Sequence, residues 1–317
     1  MAAIEQTTIP GLADSERIEF GEAATRASIS SDCSKLIIAS YNIRYGVGRY
    51  LISSGLLRRA GFNLPRRRAE AIAENIDTAA HAFADGLLLP PVDIIALQEA
   101  DKQTGRAGGH HIARELATRL DMNWVHVPAG IPRGETPKKR QWWLNFEEQI
   151  ALDDSGDTGV AVLSRFPLED VQRIDLPWHE CAWRPRLAVG ATVSLGSQKL
   201  RIFNAHIDPH AAANGQLEQL EVMLAHAADS IGPTIILGDF NTLSKQKCIE
   251  SRRLLEARGY TTPLPTGTPT WRTAFLRLHA DWIFVREVNI SRWGVARPLN
   301  VSDHWPIWAE VQISEAK

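Results

Sequence analysis

The sequence predicts an α/β protein, two packed sheets flanked by helices and built as one domain. Three observations lead there. Ten runs rich in Ile, Val, Leu, Phe and Trp are bounded by polar or turn residues, the pattern of strands. Four longer segments with apolar residues at helical spacing are interleaved among them. No Pro/Gly/Ser-rich linker divides the 317 residues after about residue 30.

Taken in order, residues 1–30 have neither a basic n-region nor an apolar core, so they are not a secretory signal. They read as a partly flexible leader, with the domain at 31–317. "KLIIASYN" (35–42) is a β-rich run that stops at Tyr41-Asn42. Residues 65–85 place Pro65 in a first helical turn and Ile72, Ile76, Ala79, Ala80 and Phe83 at helical spacing. "VDIIALQE" (92–99) is a strand ending in Gln98-Glu99, and "HIARELATRL" (111–120) a helix. Strands follow at "NWVHV" (123–127), "TGVAVLSRF" (158–166), "LEDVQRI" (168–174) and "RLAVGATVSL" (186–195). "KLRIFNAHID" (199–208) ends in Asn204, His206 and Asp208, and residues 215–230 return to helical spacing. "IILGDFN" (235–241) runs a buried strand straight into Gly238-Asp239-Phe240-Asn241. Such a tetrad is an ordinary turn, or the end of a rigid post that presents two oxygen ligands. The helix at 247–259 ends at Gly259, a suitable C-cap. "HADWIFV" (279–285) and "SDHWPIWAEV" (302–311) carry Asp281, Asp303 and His304 ahead of their apolar runs.

In four of these strands the polar group follows the run, and in the last two it precedes it. The end of one strand and the start of its antiparallel neighbour share a sheet edge. All six clusters therefore line one rim if the last two strands run against the others.

The formal charge of −2 gives no global attraction to nucleic acid or anionic membrane, so such binding needs a local patch. Cys33, Cys181 and Cys248 are too few and scattered for a disulfide framework or a zinc site. No run is long enough to span a bilayer, so no stable membrane insertion is expected, and a cytoplasmic location is the default expectation.

"SYNIRYG" (40–46), "DIIALQEAD" (93–101), "GVAVLSRFP" (159–167), "RPRLAV" (184–189), "FNAHID" (203–208), "ILGDFNTL" (236–243), "TPTW" (268–271), "ADWIFV" (280–285) and "SDHWP" (302–306) stand in an order that resembles the endonuclease/exonuclease/phosphatase superfamily of metal-dependent phosphoesterases. The resemblance covers roughly residues 35 to 313. It implies a four-layer α/β sandwich, with two mostly antiparallel sheets face to face and helices outside.

It also implies roles. Phosphoester attack needs charge neutralisation, an activated water and a stabilised leaving oxygen. Asn42 and Glu99 offer the oxygen ligands that Mg²⁺ or Mn²⁺ prefers and, by resemblance, are the metal pair. Asp303 lies near the metal in similar proteins. Asp239 is the residue that orients or deprotonates water, and Asn241 holds that water or a phosphate oxygen. His206 and His304 contact the phosphoryl oxygens, Asp281 hydrogen-bonds His304 and raises its pKa, and Arg186 is a further phosphate contact, with Arg184 the competing choice. Taken singly, each has a plainer reading as turn former, solvated acid or packed histidine; their shared order favours the functional one. Asp208 is left evenly balanced.

"NAHID" is similar to the motif of sphingomyelinases, inositol-phosphate phosphatases, deadenylases and tyrosyl-DNA phosphodiesterases, whereas apurinic endonucleases carry a Tyr-containing motif there. The expected activity is hydrolysis of a phosphodiester, with a phosphomonoester as the alternative. Nucleic acid, nucleotide, phospholipid headgroup and sugar phosphate are the substrate classes. Residues 130–149 (with Lys138, Lys139, Arg140, Trp142 and Trp143) and 177–186 (with His179 and Trp183) are insert-like segments that could shape the pocket, the plainer reading of the first being a solvated charge run with its two Trp packed on the core. Residues 44–68 read as a short helix packed on the body, with a lid, a dimer contact or a membrane-surface helix as the alternatives. A calcineurin-like metallophosphatase fails for want of GDxxD and GNH segments. A non-catalytic binding module with this fold would typically lack Glu99, Asp239 or His304, and all three are present.

Overall fold

The computed structural model describes residues 17–25, 35–48, 68–130, 148–151, 153–178, 185–273 and 275–313. Along the chain lie β1 (Glu19–Gly21), β2 (Lys35–Asn42), α1 (Arg68–Ala84), β3 (Ile94–Gln98), α2 (Ile112–Leu120), β4 (Asn123–Pro128), β5 (Gly159–Ser164), β6 (Leu168–Asp175), β7 (Leu187–Leu195) and β8 (Gln198–His206). They are followed by α3 (Ala213–Ala228), β9 (Thr234–Asp239), α4 (Lys245–Ala257), β10 (Trp271–Arg272), β11 (Arg277–Leu278), β12 (Asp281–Arg286), β13 (Val288–Val295) and β14 (Ile307–Ile313).

The side-chain periods explain the layers. Along β2, Leu36 and Ile38 enter the core between the sheets, while Ala39 and Tyr41 face the helices, the alternation a pleated strand imposes. β3 repeats this with Ile94 and Ala96 against Ile95 and Leu97, and β5 with Val160 and Val162 against Ala161 and Leu163. α1 packs Ile72, Ile76, Ala79 and Phe83 on that outer face, and α2 adds Ile112 and Leu116. Each large side chain so buried contributes about 1.5–3 kcal/mol of transfer free energy. α3 and α4 cover the other sheet with Leu220, Met223, Leu224 and Leu255. Helix, sheet, sheet, helix is the resulting order.

The first sheet runs β1-β4-β5-β3-β2-β14-β13 and the second β12-β9-β8-β7-β6, with β10 and β11 a separate hairpin. Each main sheet has one parallel pair, β2 with β3 and β8 with β9; the other neighbours are antiparallel. β14 runs antiparallel to β2, and β12 to β9. The polar ends of β2, β3, β8 and β9 therefore meet the polar starts of the last two strand regions on one rim. Beneath that rim the sheets are stitched by buried amides. Gln98 Nε2 donates to Asn204 Oδ1 at 2.7 Å, and Asn204 Nδ2 donates to the carbonyls of Leu97 (2.8 Å) and Ala161 (2.9 Å). Orphaning a buried group here would cost about 1–3 kcal/mol, so the bridge ties the strand ends that carry Glu99 and His206.

Several expectations need correction. Glu19–Gly21, inside the stretch read as a leader, is an edge strand paired with β4; the rest of that stretch lies mostly outside the described residues. β13 and the β10–β11 hairpin were not expected. β13 is a half-exposed edge strand whose sequence mixes Asn, Ser and Arg with Ile and Trp, so only its pairing with β14 identifies it. The last strand runs Ile307–Ile313, with Asp303 and His304 on the loop ahead of it, as their place before the apolar run led one to expect. α1 begins at Arg68, and Pro65 lies outside the described residues, as do Arg184, His179, Trp183, Lys138, Lys139, Arg140, Trp142, Trp143 and most of residues 44–68, 130–149 and 177–186.

Candidate active site

Asp239 closes β9 and is almost fully buried. The glycine before it is there for a steric reason: a Cβ on Gly238 (φ +143°) would lie 2.1 Å from the Ala205 carbonyl of β8. The parallel strands can therefore approach closely enough to set His206 opposite Asp239. Four groups converge on the carboxylate. Asn42 Nδ2 donates to Oδ2 at 2.9 Å, the Asn241 backbone N–H donates to Oδ1 at 2.9 Å, and the Nε2 atoms of His206 and His304 each stand 3.7 Å from Oδ2. Burial pushes the Asp239 pKa up to about 6, with the charge on His304 opposing that rise.

His304 is held from two sides. Its Nδ1 lies 2.9 and 3.2 Å from the two oxygens of Asp281, the first residue of β12. Its backbone N–H donates to Ser302 Oγ at 3.1 Å, and that hydroxyl donates to the Asn42 carbonyl at 2.7 Å. Asp281 is in turn set by Thr270, whose Oγ1 accepts the N–H groups of Ala280 and Asp281, both at 3.0 Å. Burial alone would lower the His304 pKa; Asp281 and then Asp239 outweigh it and carry it to about 10. The imidazole is therefore a cation at neutral pH, with Nε2–H turned towards Asp239. Asp239, Asp281 and His304 also form a buried group whose ligand atoms all lie within 4.8 Å of one another, a possible metal site.

Across the rim, Glu99 follows β3 with φ +51°, a left-handed conformation that costs a non-glycine residue about 1–2 kcal/mol. Asn241 shares that φ, at lower cost because Asn tolerates it. The Glu99 carboxylate faces His206 Nε2 at 3.8 Å. Arg186, buried just ahead of β7, places Nη1 3.0 and 3.2 Å from the two ring nitrogens of His206. Beside this pair a small pocket is lined by Ala129, Thr158, Val160 and Leu187.

The structure thus brings Asn42, Glu99, Asp239, Asn241, His206, His304, Asp281 and Arg186 together. Two placements add detail. Asn241 Nδ2 donates to the Ile207 carbonyl at 2.9 Å, so one N–H of its amide braces the loop after β8. Asp303 is turned along the rim, with Oδ2 accepting from Trp271 Nε1 at 3.2 Å and lying 3.7 Å from Arg44 Nη1. Asp208 is buried and accepts the His210 N–H at 2.9 Å, the behaviour of a loop former. Sequence reasoning missed Arg44, Trp271, Ser302 and Thr270. All four stand inside the quoted motifs, at positions whose partners are distant in the chain.

Three comparisons bear on this geometry. The profile of the Endonuclease/Exonuclease/phosphatase family matches residues 39–304. A UPF0294 protein of Photorhabdus laumondii is 30% identical over 112 residues, a stretch that spans 35% of this chain and 42% of that relative. Among solved structures, an endonuclease/exonuclease/phosphatase from Beutenbergia cavernae superposes with a TM-score of 0.63 at 16% identity, over 89% of this chain and 72% of its own. ANGEL2, described as a 2',3'-cyclic phosphatase and bound to adenosine-2',3'-vanadate, gives 0.57 at 14% identity, over 88% of this chain and 96% of its own. TDP2 of D. rerio with a single-strand DNA product gives 0.55 at 18% identity, over 88% and 99%.

Proposed function

The chain belongs to the endonuclease/exonuclease/phosphatase family of phosphoesterases, and on that premise we propose that it hydrolyses a phosphodiester with the help of Mg²⁺ or Mn²⁺. The observation that carries this is the geometry at Asp239, a buried carboxylate whose Oδ2 has the Nε2 atoms of His304 and His206 each 3.7 Å away, with His206 Nε2 also 3.8 Å from Glu99. A buried base whose pKa is raised by burial, opposite histidine donors, is what water attack on an anionic ester requires.

The donor set fits a hard divalent ion. The Glu99 carboxylate, the Asn42 amide oxygen and, at the rim, the Asp303 carboxylate are all oxygen ligands of the kind Mg²⁺ and Mn²⁺ take. His304 serves better as a donor than as a ligand, because its Nδ1 is committed to Asp281 and its ring is protonated at neutral pH. A bound ion would supply charge neutralisation of the phosphate and a lowered pKa for water. The chain's own residues do the rest. Asp239 Oδ2 accepts the proton of the attacking water. His304 Nε2–H and His206 donate to phosphoryl oxygens as negative charge grows there. Arg186 adds its charge from behind His206, and Asp281 keeps the His304 ring in one orientation.

The "NAHID" motif favours the sphingomyelinase, deadenylase and inositol-phosphatase side of the family over apurinic endonucleases. The nucleotide and DNA ligands of ANGEL2 and TDP2 support screening nucleotides and nucleic acid beside phospholipid headgroups and sugar phosphates. Among the described residues no helix is long and apolar enough to cross a membrane. The test is hydrolysis of bis(p-nitrophenyl) phosphate and p-nitrophenyl phosphate with Mg²⁺, Mn²⁺ or EDTA. Turnover of the diester that exceeds the monoester and stops with EDTA is expected. Turnover of the monoester alone would replace the diesterase reading with a phosphatase one.

A further inference from the structure

β1 lies ahead of the family match at 39–304, yet it reaches the loop that carries Glu99. Glu19 Oε1 is 2.8 Å from Lys102 Nζ, and Oε2 is 2.9 Å from His111 Nε2. Lys102 is 4% exposed and His111 2%. His111 Nδ1 accepts the Arg114 N–H at 3.3 Å, so the ring proton sits on Nε2 and is donated to Glu19. Burial would raise the Glu19 pKa, but the bonds from His111 and Lys102 outweigh it and bring it to about 2. Lys102 and His111 bracket the loop. The Lys102 backbone bridges both His111 and Asp157, and the Asp101 N–H donates to the Glu99 carbonyl at 3.1 Å. Asp101 then grips Arg106 in a buried pair at 2.7 Å, and the Arg106 guanidinium lies 4.1 Å over the Tyr45 ring beside the Asn42 motif. The strand is also built to dock. A Cβ on Gly21 would meet the buried Trp124 indole at 2.1 Å, so glycine is needed for β1 to lie against β4.

We propose that β1 is a clip that holds residues 99–111 in the conformation from which Glu99 ligates the metal, with Glu19 as its positioning residue. This rests on the reading of Glu99 as a metal ligand. Without Glu19 the buried Lys102 ammonium has no carboxylate beside it among the described residues. Its cheapest escape is outwards, which breaks the bridges to His111 and Asp157 and frees the strained turn at Glu99.

The test uses the full chain at a temperature where circular dichroism shows every variant folded. Mn²⁺ affinity is read by electron paramagnetic resonance, and amide exchange by mass spectrometry. Glu19→Gln is expected to weaken Mn²⁺ about 10-fold, the scale of losing an outer partner of a ligand, and to speed exchange across 99–111 while β8 and β9 keep their protection. Gly21→Val, which leaves Glu19 intact but blocks docking, should reproduce both effects. Lys102→Met added to Glu19→Gln should restore most of the affinity, since no charge is then left unpaired. Unchanged exchange across 99–111 overturns the clip. Faster exchange with unchanged Mn²⁺ affinity reduces β1 to a structural strand and also overturns it. Glu99→Gln is the separating control: if it leaves Mn²⁺ binding intact, the metal assignment itself has failed, and the clip's ligating role falls with it.

Discussion

Asp239→Asn is expected to lower kcat about a thousand-fold with KM changed by less than about threefold, measured on the diester at saturating Mn²⁺. The substitution keeps the size of the side chain and one acceptor for Asn42 Nδ2, which donates at 2.9 Å, but removes the proton-accepting charge. A residue that acts in the transition state and not in ground-state binding shows this split. The same variant carries a stability signature. The folded pKa of Asp239 is raised from 3.8 to about 6, so its contribution is fully present below about pH 3.8 and is lost as pH rises through about 6. The metal-free Asn variant should therefore gain on the wild type across that window, in urea denaturation followed at several pH values. A catalytic carboxylate kept at a cost to stability is the expected pattern for a functional group.

Asp281→Asn is the second large effect, with kcat reduced about a hundred-fold near neutral pH and the alkaline limb of the rate profile moved to lower pH. Asp281 is the strongest of the groups that lift the His304 pKa from 6.5 to about 10 against burial. With an amide in its place, the buried ring holds its proton less tightly, and the donor facing Asp239 weakens. Because the folded pKa is the raised one, the stability that His304 draws from Asp281 is fully present below about pH 6.5 and is lost as pH rises through about 10. The stability gap between wild type and Asp281→Asn should be widest at pH 6 and narrow steadily towards pH 10.

Much of the site was legible because strand ends are local events. "SYN", "LQE", "NAH" and "GDFN" each pair a buried apolar run with polar termini, and alternation fixes which face each residue takes. Their meeting on one rim required only the antiparallel sense of β12 and β14, a condition the sequence posed and the strand pairing meets. What stayed hidden depends on partners distant in the chain. β1 is three residues long, and its place is set by Trp124 and Lys102. Thr270 and Ser302 look like ordinary turn residues until their hydroxyls are seen against Asp281 and Asn42. Asn241 has the residue type of a phosphate contact, but its left-handed backbone turns Nδ2 onto the Ile207 carbonyl. β13 sits at a sheet edge with one face in water, where polar residues blur the period.

In the proposed mechanism Glu99 and Asn42 hold the metal while His304, paired with Asp281, serves as a cationic donor. Anomalous diffraction from a crystal soaked in Mn²⁺ tests it most directly. A peak coordinated by oxygens of Glu99 and Asn42, with His304 Nδ1 still bonded to Asp281, is the predicted result. A peak coordinated by His304 and Asp281, in the buried group they form with Asp239, would contradict it.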